Sequence, residues 1–107
     1  MKDTHYIHSD IDRASALFCD ELATMKPIRL RTRKGEMSSR SAARKLRAAP
    51  LQKRRRVGER LLVRYRKDTG CQGAIDWSKF HKWLKEHMGE LTFLKIILSV
   101  ITILLIL

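Results

Sequence analysis

The last seventeen residues, Leu91 to Leu107, carry a single charge, Lys95. Water is a poor solvent for such a stretch, so any fold open to the chain must give it an apolar home. As an α-helix it would be about 25 Å long, against a hydrocarbon core of about 30 Å. It reads as a short transmembrane anchor over 91–107, with Lys95 reaching back to the near interface. A span that short thins the bilayer, crosses it incompletely, or shares the mismatch in a homo-oligomer. The basic clusters all precede it, so the positive-inside tendency places the N-terminus in the cytoplasm and predicts a single-pass membrane protein.

Residues 76–90 carry the clearest helical pattern. At about 100° per residue, Trp77, Phe80, Trp83, Leu84, His87 and Met88 share one arc with Leu91. Lys79, Lys82, Lys85, Glu86 and Glu90 fill the other, and Asp76 is a good N-cap. Both tryptophans lie on the apolar side, flanked by lysines. Such a helix fits the headgroup layer, so Trp77, Phe80, Trp83, Leu84, Met88 and Lys95 are expected at the membrane interface. Packing against protein is the alternative, but with the tail set aside the 107 residues hold little apolar matter for a core.

The net charge of +12 is unevenly spread. Residues 1–25 hold Lys2 and Arg13 against five carboxylates, whereas residues 26–67 hold seventeen lysines or arginines against Glu36 and Glu59. That block attracts phosphate, on lipid headgroups or on nucleic acid. Its candidate phosphate-binding residues are Arg44, Lys45, Arg47, Lys53, Arg54, Arg55, Arg56, Arg60, Arg64, Arg66 and Lys67. The run Lys53-Arg54-Arg55-Arg56-Val57 also fits a nuclear-import string or a nucleic-acid-binding arm. Only Tyr65 and Gln52 are interleaved with the charge, which argues against base-specific reading.

Local signals divide the chain into 1–25, a short acidic amphipathic helix; 26–67, the basic region; 68–75, a hinge; then 76–90 and 91–107. Ile11, Ala14, Leu17, Phe18, Leu22 and Met25 recur at helical steps, with Ser9 as a candidate cap and Pro27 as a stop. Residues 28–37 alternate with arginine like a strand. No partner strand is evident, so an extended basic linker broken at Gly35 is expected. Ser38 or Ser39 can cap a helix through Ala49, and Pro50 sits well at the first turn of another running to about Lys67. Leu51, Val57, Leu61, Leu62 and Tyr65 fall on one side of it, and Gly58 weakens it by about 1 kcal/mol. Arginine surrounds both helices, so they should firm up only when phosphate neutralises them.

Several chemistries are not supported. Cys19 and Cys71 lack CxxC spacing and form no disulfide framework. His5 and His8, with Cys19 beyond, make a weak zinc set, and neither a metal nor a cofactor is expected. His81 and His87 are solvated or pH-sensing side chains. Neither a nucleophile–base pair nor a phosphate-cradling glycine loop is apparent, so an enzyme is not expected.

A basic region followed by a short hydrophobic stretch containing Leu98-Ser99 resembles the single-gene lysis proteins of small single-stranded RNA phages. The resemblance implies a non-enzymatic protein of the host inner membrane, with Leu98 and Ser99 as the lysis dipeptide. The expected fold is thus all-α: a C-terminal transmembrane helix, an amphipathic interfacial helix before it, and a basic, partly disordered N-terminal region. Three functions remain open. They are a membrane tether whose basic block binds anionic lipid or nucleic acid, a phage-type lytic protein acting through its tail, and a soluble nucleic-acid protein whose tail packs on protein.

Overall fold

The amphipathic stripe of the first segment folds as α1, His8–Thr24, burying Ile11, Ala14, Ser15, Phe18, Cys19 and Leu22 along one side. The structure, a computed structural model, describes residues 7–32, 35–88 and 90, and the backbone alone at 30–32. Ser9 is not the cap: Ile7 holds that position without a side-chain bond, and its carbonyl accepts from the amides of Asp10 and Ile11. At the other end Met25 is extended (ψ 163°), two residues before Pro27.

Residues 28–37 are not a linker. Strands β1, Arg29–Thr32, and β2, Gly35–Ser38, pair antiparallel, with Arg29 opposite Ser38 and Thr32 opposite Gly35. The strand that seemed to lack a partner folds back on its own continuation. Gly35 adopts φ +125°, a conformation that a side chain disfavours. The open end of the hairpin is stapled to the next helix. The Ser39 amide donates to the Ile28 carbonyl, and the Ile28 amide donates to the Ser39 hydroxyl, which is fully buried.

Helix α2, Ser39–Ala48, starts where the Ser38 hydroxyl accepts from the Ser41 amide. Ala42, Ala43 and Leu46 face α1, and the small alanines let the backbones approach until the Cys19 thiol donates to the Ala43 carbonyl at 3.2 Å. Ala49 is forced out of the helical region by Pro50, whose carbonyl then accepts from the amides of Lys53 and Arg54 in α3, Leu51–Thr69. Val57, Gly58, Leu61, Leu62 and Tyr65 form its buried side, while Leu51, expected among them, is exposed. At Gly58 a Cβ would overlap the Ile11 carbonyl oxygen, so the missing side chain is what allows α3 to cross α1 closely. Gly70 ends α3 in the left-handed conformation (φ 69°), its amide bonded to the Arg66 carbonyl.

Helix α4, Trp77–His87, is capped by Asp76, whose carboxylate accepts from the amides of Ser78 and Lys79. Its apolar side is not available to lipid. Phe80, Trp83, Leu84 and Met88 are buried among residues of the other helices, and Trp77 is half-buried. Tyr65 of α3 meets Phe80 and Trp83 edge-on at 5.2 and 5.4 Å, and Trp77 meets Phe80 at 5.2 Å.

These contacts correct the expected architecture. The helix assigned to the headgroup layer is a wall of a protein core, and α2 and α3, expected to await phosphate, are held by their alanine, valine and leucine sides. Among the described residues no helix is long and apolar enough to cross a membrane. The described residues form four helices and one hairpin packed on a shared core, in place of the loose basic helices expected. The expected placement as a single-pass membrane protein is corrected with it. Residues 91–107, including Lys95 and the Leu98-Ser99 dipeptide, lie outside the described residues.

Candidate phosphate-binding face

The basic block divides according to helical phase. Val57, Leu61 and Tyr65 turn one side of α3 into the core, so residues near the opposite arc must face water. Arg56, Arg60 and Lys67 recur there at steps of four and seven, with Lys53 and Arg64 at the edge nearer the core. Arg56, Arg60 and Lys67 are exposed; Lys53 and Arg64 are half-buried. Arg56 and Lys67 meet no carboxylate among the described residues. Arg64 meets Asp68 one turn on at 3.1 Å, an open i,i+4 pair of little strength. On α2 the outer side carries Arg44 and Lys45, with Arg40 one turn before Arg44. Arg40 escaped the sequence reading, whereas the outward Lys79, Lys82 and Lys85 of α4 were expected on its polar arc, toward phosphate. The signal for Arg40 was its phase against the buried stripe.

The other expected phosphate ligands have structural work. Arg55 forms a two-pronged bond to Asp12 of α1, 3.0 Å from Nε and 3.2 Å from Nη2. That hydrogen bond, more than the nearby positive charges, holds the Asp12 carboxyl below its ordinary pKa. Arg47 donates to Asp20 at 2.9 Å. The Arg54 Nε donates to the Ala49 carbonyl across the α2–α3 joint. Arg66 reaches the carbonyls of Cys71 and Gly73, pinning the loop expected as a hinge.

Elsewhere the polar chemistry is already paired. A cleft of about 250 Å³ beside α1 is lined by Asp12, Cys19, Asp20, Arg47, Arg54 and apolar neighbours. Its carboxylates are held by Arg55 and Arg47. Burial pushes the Cys19 thiol up, the reverse of what a reactive thiolate needs. His81 meets Glu21 at 2.9 Å, joining α4 to α1, and the His87 Nδ1 lies 2.8 Å from the Trp83 carbonyl. His81 thus bridges two helices with its side chain still open to solvent, whereas this His87 contact lies within α4. Among the described residues no three potential ligands gather as a metal site, and His5 lies outside them.

Aromatic rings are also committed. Phe18, Tyr65, Phe80 and Trp83 are buried. Trp77, the most open of the described ones, is packed on Phe80 and lies under the Arg13 guanidinium at 4.9 Å. The site is therefore a surface, a row of cations on a helix whose inner side is packed. No protein-family model, curated protein sequence or solved structure matches the chain.

Proposed function

We propose that this domain binds the phosphate backbone of nucleic acid through the outward cations of α3, assisted by those of α2. The observation that carries the reading is the row Lys53, Arg56, Arg60, Arg64 and Lys67 on the solvent side of a helix whose other side is core. Cations fixed at helical spacing neutralise phosphates and release their counterions, which drives association without reading bases. Nucleic acid is favoured over a lipid surface because the residues that would insert between acyl chains, Phe80, Trp83, Leu84 and Met88, are occupied in the core. Binding, not catalysis, is the activity.

The test is titration of full-length protein into labelled oligonucleotide at several salt concentrations. Affinity should fall steeply with salt, and the double variant Arg56→Glu, Lys67→Glu should weaken binding at least tenfold while the thermal melt is retained. Binding that ignores both salt and the double variant would overturn the proposal.

A further inference from the structure

Resting on that reading, we infer that the ligand is a double-stranded nucleic acid, with the α3 cation row laid across a groove so that it touches phosphates of both strands. From Lys53 to Lys67 is fourteen residues, or about 21 Å of helix at 1.5 Å per residue. A B-form major groove is about 12 Å wide and a minor groove about 6 Å, so the row outreaches either and can meet a backbone on each side. Helix α3 is rigid along this length, being packed on its inner side from Val57 to Tyr65. A stiff row favours a partner whose phosphates are themselves held at fixed spacing. A duplex meets that condition and a flexible strand does not.

The aromatic inventory points the same way. Proteins that hold single strands stack bases on exposed rings, which supplies about 1–3 kcal/mol per base. Here Phe18, Tyr65, Phe80 and Trp83 are buried and Trp77 is covered by Arg13, so the described surface offers charge without a stacking platform. Glu59 is an exposed carboxylate one turn from Arg56, set against the five cations, and Asp68 is occupied by Arg64 and by the Trp83 indole N–H at 3.4 Å. The row thus presents little negative charge to repel a backbone.

The experiment compares full-length protein on a DNA duplex, an RNA duplex and each single strand of one short sequence, with anionic phosphatidylglycerol vesicles as a further arm. At least one duplex should bind about tenfold or more tighter than its single strands, and the stronger duplex identifies the source of the phosphates. The slope of log affinity against log salt should be about −4 to −5 for DNA, as one phosphate per cation of the row at about 0.9 each requires. Arg56→Gln with Lys67→Gln should make it shallower by about 2. Single strands bound as tightly as duplexes would overturn the inference and leave phosphate-backbone binding standing. Binding to vesicles alone, or to none of the probes, would overturn both.

Discussion

Neighbouring residues in the basic run have opposite fates. Arg55 is turned toward Asp12 and Arg56 toward water, one helical step of about 100° apart. Arg55→Gln should therefore lower the melting temperature and leave nucleic-acid affinity within about twofold, whereas Arg56→Gln should do the reverse. The Asp12 pair also sets a pH dependence. A carboxyl depressed in the folded state adds stability above its unfolded value, near 3.8, and loses it as pH falls through the lower folded value. Asp12→Asn should thus melt earlier than wild type at neutral pH, with the difference closing in acid below that range. Gly58→Ala is a third case. Alanine improves helix propensity by about 1 kcal/mol, yet overlap with the Ile11 carbonyl should make the variant less stable by about 1–2 kcal/mol in denaturant melts. Sequence identified Gly58 as a weak point of a helix. It held no sign that another backbone passes there, because the partner lies forty-seven positions away.

At the scale of elements, helices were the legible part. Caps and stops are written locally, in Ser38, Pro50, Gly70 and Asp76, and the observed ends follow them closely. The hairpin was not legible because alternation with arginine looks the same in a solitary strand as in a paired one. Helix α4 was placed correctly along the chain and assigned the wrong neighbour. An apolar side rich in tryptophan and edged with lysine suits lipid or protein equally, and the matter is decided by core residues from elsewhere in the chain, Tyr65 of α3 meeting Phe80 and Trp83. Phe80→Ala should accordingly destabilise the whole domain by about 3–5 kcal/mol, seen as loss of a single cooperative melt. Were α4 independent of the core, the melt would not move.

For the molecule as a whole, the expectation of too little core came from averaging hydrophobicity over segments. Each helix contributes only a few buried apolar residues, but those of all four helices gather in one cluster. The basic face was legible as composition, and its division into structural and outward cations was not, since that depends on which side of each helix is buried. With a net charge of +12 the folded state repels itself, so a polyanion that binds it should stabilise it. Adding inorganic polyphosphate at about a hundred times its dissociation constant should contribute about 2.7 kcal/mol, raising the melting temperature by several degrees. The Arg56→Glu, Lys67→Glu variant should show a smaller rise. Helix α1 meets α2, α3 and α4 in turn, through Cys19, Gly58 and Glu21 contacts respectively. During synthesis it leaves the ribosome before the three helices it packs on, and has nothing to bury against until they follow. Assembly therefore waits on late arrivals, and a nascent chain halted before Leu61 would hold its first helix as bare amphipathic surface, open to chaperones.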